Sequence, residues 1–515
     1  MALQLTGRRN ASLHREAIDG GHVMTRKVWA RLAIVLTLAA ALGLPLATSQ
    51  ATTRLPTVHL LSVLRHVHAE RFDGDPILFV DAGIYAAAAD GAFEVDATAA
   101  RTSITLWQVR RDHDGVHRIR RLTAPVPVSL SDGLPNFFHV VLRDATGKRV
   151  STSNLPFCPG AGFGLSRTEA SGPDHPTYPY GCGDLLTQAA VWGMDRGWAT
   201  ALGLELPASD IADGKYVLQV SIAATWVEQL QIPSRDASAS VDVKVTTLPG
   251  KCTPQDPCAP LARLRAARTA LAAQTEGPHT VRPDAVPSDG GLGGHAGVPD
   301  LRALPAHDLS ATHHRSDGHD YLNFGATIWN AGSGPLVVEG FRAGDTPVMA
   351  ATQFIYQNGK PVRSKVVGQF EFDTRAGHHH WHMEDIAQYD LLDASGHRIV
   401  LSDKQSFCLA PTDPIDLTAS GSAWQPDQAM LWSACSGEDA IWLREVLPAG
   451  WGDTYYQSVA GQSFDITGLA NGHYQVRVTT DPNNRLLETS YANNVGLVKI
   501  VIGGTAGKRT VSIVG

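Results

Sequence analysis

Three histidines spaced two residues apart are the clearest chemical feature of the chain. His378, His380 and His382 lie in the run Gly-His-His-His-Trp-His that begins at Gly377. On an extended strand, side chains two residues apart leave the same face, so these three imidazoles would point together. Neutral imidazoles suit a first-row transition metal, with copper and zinc the natural occupants. The alternative is a solvated histidine-rich loop that scavenges metal, but the neighbouring Phe370 and Phe372 favour a packed segment.

The elements that must position these histidines are predicted to be strands. Short apolar runs alternate with turn residues along most of the chain, which contains 49 Gly and 30 Pro. A Pro- and Gly-rich stretch at 249–298 divides the 515 residues and is typical of a linker. We therefore predict an all-β protein with two β-sandwich-like domains, at 52–248 and 299–515.

The two halves resemble each other in sequence, which indicates an internal duplication. Phe-Cys pairs end at Cys158 and at Cys408, and each pair follows an Asp-Ala-x-Gly turn. Sixteen residues separate Cys182 from Trp198, and the same number separates Cys435 from Trp451. A tight turn then enters an alternating strand in both halves. The alternative is a chance similarity between generic β-repeats.

The N-terminal segment 1–51 is typical of a secretory signal. Basic residues, including Arg26 and Lys27, precede an apolar stretch from Leu32 to Leu46 and then a group of small residues. The apolar stretch is short for a membrane span, and Met24 provides a second candidate start. We therefore expect a secreted, extracellular protein that is not an integral membrane protein once the signal is cleaved.

Composition describes a soluble globular chain with an acidic surface. Apolar residues make up 43% and charged residues 18%, and the net charge is −7 with histidine neutral. Removal of residues 1–51 would take away six basic and two acidic residues and leave a net charge of −11. This charge disfavours nucleic acid as a partner and favours cationic partners such as amines.

All six cysteines follow the signal-like segment. An even number in an oxidising compartment predicts disulfides, and pairing between sequence neighbours would join Cys158–Cys182, Cys252–Cys258 and Cys408–Cys435. The alternative is a cysteine-rich zinc site, although the sequence contains no Cys-x-x-Cys pair.

Several separated motifs follow the histidines in a fixed order. They are Tyr-Asp-Leu-Leu-Asp from Tyr389, Lys-Gln-Ser-Phe-Cys from Lys404, Asp-Thr-Tyr from Asp453, and Asn493-Asn494. From about Pro299 to Ile502, this ordered set closely resembles the catalytic domain of lysyl oxidases. Both predicted β-domains would then be of the lysyl oxidase type.

The resemblance implies a copper-dependent amine oxidase with a protein-derived quinone cofactor. Cu²⁺ would bind His378, His380 and His382, and Lys404 with Tyr455 would form lysine tyrosylquinone. The implied reaction is oxidative deamination of primary amines, either peptidyl lysine or small amines, by O2 to aldehydes, with release of H2O2 and NH3. The general base is not identified by the motifs, and Asp453 and Asp385 are the candidates.

The resemblance also implies a structural calcium site. Its ligands would come from Asp300 and Leu301 near the start of the domain, and from Glu488, Asn493 and Asn494 near its end. Oxygen ligands suit a hard cation such as Ca²⁺. Ser490 departs from the family, which often has Asp at this position. The alternative is that Asn493 and Asn494 only form a turn.

The front half is predicted to be a non-catalytic copy. Counting from the shared turn and cysteines places Ser129, Ser131 and Gly133 opposite the three histidines. Asn154 falls opposite Lys404, and Leu202 falls opposite Tyr455. The fold residues are kept in this copy while the residues for chemistry are lost.

Two other functions compete with the amine oxidase. A non-enzymatic secreted copper-binding or cell-surface adhesion protein could keep the fold, but it would not need Lys404 and Tyr455. A cupin-like dioxygenase would need a carboxylate and a distant histidine, for which Glu384 and His397 are the candidates. The copper amine oxidases with trihydroxyphenylalanine quinone need an Asn-Tyr-Asp/Glu tripeptide that this sequence lacks.

Overall fold

The computed structural model describes two long stretches of the chain. They comprise residues 55–248 without 73–75, 161–163, 170–171 and 209, and residues 297–514 without 343–347, 358–359, 375–378, 403–405, 427–430 and 432. We call 55–248 the front half and 297–514 the back half. Strands dominate both halves, which confirms the all-β prediction.

The front half contains thirteen of the strands and one short helix. The strands are β1 (Thr57–Ser62), β2 (His66–Phe72), β3 (Ile77–Ala89), β4 (Phe93–Ala100), β5 (Ser103–Asp112), β6 (Gly115–Leu122), β7 (Leu134–Asp144), β8 (Arg149–Phe157), β9 (Leu165–Arg167), β10 (Ala189–Met194), β11 (Trp198–Pro207), β12 (Gly214–Ile222) and β13 (Ser238–Leu248). Helix α1 (Ala224–Leu230) and a 3-10 turn (Ser234–Asp236) lie between β12 and β13.

Three sheets form the front half, with strand orders β1-β3-β11-β9, β10-β4-β5-β6 and β2-β13-β12-β7-β8. Alternating burial explains why β12 forms a strand in this position. Tyr216, Leu218 and Val220 are buried while the residues between them are exposed or half-buried. The inward side chains of the three sheets join in one continuous apolar core.

The back half contains the remaining strands. They are β14 (Leu301–Ala303), β15 (His307–His314), β16 (His319–Asn330), β17 (Leu336–Phe341), β18 (Val348–Gln357), β19 (Lys360–Asp373), β20 (His380–Glu384), β21 (Ala387–Asp393), β22 (Arg398–Leu401), β23 (Ser406–Phe407), β24 (Asp413–Pro414), β25 (Trp442–Leu447), β26 (Trp451–Tyr455), β27 (Ser463–Asp465), β28 (Gly472–Thr480), β29 (Val495–Thr505) and β30 (Lys508–Ile513).

Three sheets also form the back half. Their orders are β14-β16-β26-β24, with β15 and β27 also on β16, then β23-β20-β19-β18-β17-β25, and β22-β21-β28-β29-β30. The first sheet carries Tyr455, and the second carries His380 and His382. Residues of the third sheet pack into the same apolar core. The site is therefore built where two sheets face a shared apolar interior.

One corner of the fold is built identically in the two halves. In β7 and β12, Asp144 pairs with Tyr216, and in β21 and β28, Asp393 pairs with Tyr474. Each aspartate accepts hydrogen bonds from its own turn, and each tyrosine hydroxyl donates to a carbonyl four residues earlier at 2.7 Å. These matched pairs support the predicted duplication, whose domain boundaries stay a prediction.

Disulfides occupy matching places in both halves. Cys158 bonds to Cys182, and Cys408 bonds to Cys435. Both predicted pairs are therefore present, while the predicted pair Cys252–Cys258 lies outside the described residues. The signal-like segment and most of the linker also lie outside them.

The two halves pack directly on each other within one compact unit, Leu55–Gly515. The amide of Gln188 donates to the carbonyl of Ile415 at 2.7 Å, and the amide of Leu417 donates to the carbonyl of Ala189 at 2.9 Å. Beside these bonds, the ring of Tyr178 stacks on Trp424 with centroids 5.3 Å apart. The front half is thus fixed to the segment that follows β24 and precedes β25.

Across the described ranges, we find no helix with both the length and the apolar character that a membrane span requires.

Candidate functional site

Strand β20 carries two of the three predicted metal ligands. His380 and His382 leave the same face of the strand, and their Nε2 atoms lie 2.9 Å apart. The side chain of His382 is nearly fully buried, whereas that of His380 is half-buried. His378 lies outside the described residues. The predicted shared face is therefore seen for two of the three histidines.

Polar groups fix the orientation of His382 from the other side of its ring. Its Nδ1 atom lies 3.3 Å from an Oδ2 of Asp373 on β19, and 3.4 Å from the hydroxyl of Ser406 on β23. A carboxylate or hydroxyl on the remaining ring nitrogen sets the tautomer and raises the basicity of a ligating histidine. The Nε2 atom of His382 is thereby directed toward His380.

The chemistry of these donors fits a transition metal. Nitrogen ligands of Zn²⁺ lie about 2.0–2.1 Å from the ion, so two nitrogens 2.9 Å apart can bind the same ion. Imidazole is also a common ligand of copper. His380 and His382 would hold such an ion from β20, with His378 as the predicted third ligand.

Tyr455 lies at the end of β26, where it pairs with Ala326. Its hydroxyl donates to the carbonyl of Cys408 at 3.0 Å, and its ring packs edge-on against Phe407 with centroids 4.9 Å apart. Burial raises the pKa of the Tyr455 phenol well above its usual range, and the carboxylates of Asp453 and Glu445 raise it further. The phenol is therefore held in its neutral form at physiological pH.

The segment Ser406–Cys408 connects the histidines to Tyr455. Ser406 contacts His382 at one end, and the carbonyl of Cys408 accepts from Tyr455 at the other. Lys404 precedes this segment by two residues, and it lies outside the described residues. The segment Ser406–Cys408 thus contacts both His382 and Tyr455.

The disulfide fastens this segment to the histidine strand. Cys408 is bonded to Cys435, and the carbonyl of Cys435 accepts the backbone amide of Trp381 at 3.0 Å. Trp381 lies between His380 and His382 and is fully buried. The disulfide therefore links the Tyr455 contact to β20 through one covalent bond and one hydrogen bond.

The two candidate bases occupy very different surroundings. Asp453 is only 2% exposed and lies on the same face of β26 as Tyr455. Its charge raises the pKa of both Tyr455 and Tyr389. Asp385 instead lies in a turn after β20, where it is 3.4 Å from Arg485 and accepts from Asn483 at 3.1 Å. The geometry favours Asp453.

Glu445 on β25 is a site residue that our sequence analysis missed. Its side chain is completely buried, and one carboxyl oxygen accepts the backbone amide of Leu409 at 3.0 Å. Burial raises its pKa well above the usual range, and the nearby charge of Asp453 raises it further. Two adjacent charged residues, Arg444 and Glu445, in the otherwise apolar run Trp-Leu-Arg-Glu-Val-Leu were the available signal.

The residues of the cupin-like alternative do not meet at the histidines. Glu384 accepts from Gln369 at 2.9 Å, on the far end of β20. His397 lies in the exposed turn after β21, with its Nδ1 atom 2.9 Å from the hydroxyl of Ser395. Nothing in this arrangement favours a carboxylate and histidine completing the metal site.

The predicted calcium ligands come together between the start of β14 and the loop before β29. Asn493 donates to Asp300 at 2.8 Å, and Asn494 donates to Glu488 at 2.8 Å. The amide of Leu301 donates to the second oxygen of the Glu488 carboxyl at 2.8 Å. The residues predicted to bind calcium therefore lie together and form one cluster of oxygen atoms.

Several oxygens of this cluster have no hydrogen-bond partner although they are buried. They are the Oδ1 atoms of Asp300, Asn493 and Asn494. Buried acceptors without partners are costly, and a cation would satisfy them. Burial also raises the pKa of Glu488 to about 7, with Asp481 adding to the effect. The donor set fits a hard cation such as Ca²⁺.

The similarity to known proteins lies in the back half, which also contains the candidate site. Residues 348–510 match the family model described as Lysyl oxidase. The chain is 30% identical over 129 residues to protein-lysine 6-oxidase of Gallus gallus, covering 25% of this chain and 27% of that protein. It is 29% identical over 143 residues to lysyl oxidase homolog 2 of Xenopus tropicalis, covering 27% of this chain and 17% of that protein.

The fold and the site define an all-β protein with a buried histidine, tyrosine and carboxylate centre. Within its back half, residues 348–510 are similar to the lysyl oxidase family. The chain spans about a quarter or less of the length of the curated relatives it matches.

Proposed function

We propose that this protein is an exported amine oxidase that deaminates primary amines with O2, giving aldehydes, H2O2 and NH3. The observation that carries the proposal is the connection of His380 and His382 to Tyr455 through Ser406–Cys408. A protein that only binds copper has no need of a buried tyrosine beside its ligands. The substrates would be peptidyl lysine or small amines.

The proposed cofactors are Cu²⁺ and lysine tyrosylquinone. His378, His380 and His382 would hold the metal, while Lys404 and Tyr455 would form the quinone. When bound, the metal and quinone supply the redox chemistry that the twenty side chains lack. The fit of the described donors supports this proposal, as does the match to the family model.

The residues around the cofactor would hold and move protons. Burial favours the neutral form of Tyr455, and the carbonyl of Cys408 fixes the orientation of its ring. Asp453 is the proposed general base because it is buried on the same face as Tyr455. The packed neighbours Phe407 and Tyr389 exclude water from this space.

We further propose that the oxygen cluster at Asp300 and Glu488 binds Ca²⁺ as a structural ion. It would tie the start of the back half to the loop before β29. Secretion is proposed from the signal-like segment 1–51, and the net charge of −7 disfavours nucleic acid as a partner.

The test is to add copper and O2 to the purified full chain and then treat it with phenylhydrazine. We expect a visible adduct on a peptide that cross-links Lys404 to Tyr455. Tyr455→Phe should form no adduct. Tyr456→Phe is the matched control, because Tyr456 is the next residue and is half exposed. Stoichiometric copper binding without an adduct in the wild type would instead favour a non-enzymatic copper-binding protein.

A further inference from the structure

Glu445 has no role in the reaction as proposed above, yet it is a completely buried acid at the centre of the site. It faces the main apolar core together with Leu443 and Leu447 on β25. Removing a carboxyl group from water is costly unless hydrogen bonds compensate for the lost hydration.

Its carboxyl group joins two backbone segments that carry the site. The amide of Leu409 donates to one oxygen at 3.0 Å, and the amide of Met383 also donates to the carboxyl group. Met383 directly follows His382. Leu409 directly follows Cys408, whose carbonyl orients Tyr455. One side chain thus holds the histidine strand and the tyrosine contact at a fixed separation.

The front half shows that the scaffold itself does not require a carboxyl group at this position. Glu445 lies ten residues after Cys435, and Trp192 lies ten residues after Cys182. Each residue pairs with a valine on the neighbouring strand: Glu445 with Val338 on β17, and Trp192 with Val95 on β4. The indole of Trp192 donates to the carbonyl of Cys182 at 2.8 Å. The fold therefore accepts a tryptophan, which has an apolar ring and one hydrogen-bond donor, at the position that Glu445 occupies in the back half.

We propose that Glu445 is a positioning residue of the amine-oxidase site, which sets the distance between the metal-binding strand and Tyr455 through its bonds to Met383 and Leu409. This inference rests on the proposed function. Loss of the two bonds would leave β20 and the Cys408 carbonyl free to shift, and a misplacement of about 1 Å can cost roughly 100-fold in rate.

The test compares Glu445→Leu and Glu445→Gln in the full, copper-loaded chain. For Glu445→Leu we expect a kcat reduced about 10-fold to 100-fold with KM nearly unchanged. Quinone formation, followed by its absorbance after copper addition, should slow by a similar factor while the copper content stays equal. Glu445→Gln keeps the volume and one acceptor oxygen, so its kcat should fall between those of the wild type and Glu445→Leu. If Glu445→Leu does not fold, Glu445→Gln alone decides by its kcat.

Two further measurements separate the possible failures. Hydrogen exchange at the amides of Met383 and Leu409 should accelerate in Glu445→Leu, a readout that needs no cofactor. Glu339→Gln is the matched control, because Glu339 is equally buried on β17 but pairs with Arg444 on the other face of the sheet. This control should lower Tm without slowing quinone formation.

Wild-type kcat and quinone yield in Glu445→Leu would overturn the inference, whatever happens to its Tm. Absence of an adduct in the wild type would instead overturn the proposed function. In that case the hydrogen-exchange measurement still decides whether Glu445 holds the two segments together.

Discussion

The front and back halves use the same strand pairings around different interiors. In the back half, Met383 pairs with Phe407 directly beside the disulfide, and in the front half Leu134 pairs with Phe157 in the same relation to its own disulfide. Counting back from these pairs, Ser131 occupies the place of His380. The scaffold is therefore separable from the chemistry that it carries in the back half.

The replaced residues in the front half make contacts that are ordinary for a folded protein. The hydroxyls of Ser129 and Ser131 lie 2.7 Å apart, where the back half would have two metal ligands. Asn154 contacts His139 at 2.9 Å, opposite Lys404. Leu202 is buried in the core at the position of Tyr455. The metal ligand, amine and phenol are all replaced by groups that need no cofactor.

The largest expected effect is a loss of copper affinity that occurs on mutation of the back half but not of the front half. His382→Ala should lower the copper affinity of the full chain by more than about 100-fold, since even the loss of an outer partner of a ligand costs about 10-fold to 100-fold. Ser131→Ala, the front-half counterpart of a histidine change, should leave affinity and stoichiometry unchanged. Copper titration by calorimetry measures both. A second tight site that survives His382→Ala and is lost on changing the front half would contradict the comparison.

The disulfides should matter equally for stability and unequally for function. Cys158–Cys182 and Cys408–Cys435 close loops of 24 and 27 residues, so removal of either should cost about 3 kcal/mol in the free energy of unfolding. Only loss of the back-half bond should reduce the quinone yield, because it holds Cys408 against Tyr455. Denaturant unfolding and phenylhydrazine titration of the two double Cys→Ser variants check this. An equal loss of quinone in both would show that the halves are coupled.

The sequence predicted the parts of the site that depend on local spacing. The shared face of His380 and His382 follows from strand periodicity, and the two described disulfides follow from pairing between sequence neighbours. Glu445 was not predicted because its role arises from Met383 and Leu409, which are distant in the chain. Periodicity reports which way a side chain points but not which backbone groups meet it.

The structure of the connection between β12 and β13 was not predicted, although cation ligands were predicted in the matching connection between β28 and β29. In the front half it contains helix α1, which buries Trp226 and Leu230 in the core. In the back half the same connection is a polar loop that carries Glu488 and Asn494. One connection is stabilised by apolar packing and the other by buried oxygens that suit an ion. Both sequences contain turn residues and short apolar groups, so only the tertiary contacts separate them.

That difference predicts a calcium effect confined to the back half. Ca²⁺ at 100 times its dissociation constant should add about 2.7 kcal/mol to the free energy of unfolding. Glu488 has its folded-state pKa raised to about 7, so the proton stabilises the folded state at low pH and this contribution declines as pH rises from about 4.5 to about 7. Calcium binds the ionised carboxylate, so its stabilisation should grow as pH rises through about 7.

Thermal unfolding with and without Ca²⁺ at pH 5.5 and pH 8 measures this dependence. Glu488→Gln should abolish the pH dependence and most of the calcium effect. Trp226→Phe in the front half should lower Tm to the same extent with or without Ca²⁺, because α1 contains no part of the cluster. A calcium effect that is larger at pH 5.5 than at pH 8 would contradict the assignment of Glu488 as a ligand.

The smallest expected effect tests the feature that the halves share most closely. Tyr216→Phe and Tyr474→Phe each remove one hydroxyl that donates to a carbonyl at 2.7 Å. Each should reduce the free energy of unfolding by about 1 kcal/mol, with a further cost because the carbonyl loses its partner. Quinone yield should be unchanged in both, since neither tyrosine contacts the site. Equal losses would show that the corner stabilises both halves in the same way. A loss limited to Tyr474→Phe would mean that the front half is held mainly by its contacts with the back half rather than by its own corner.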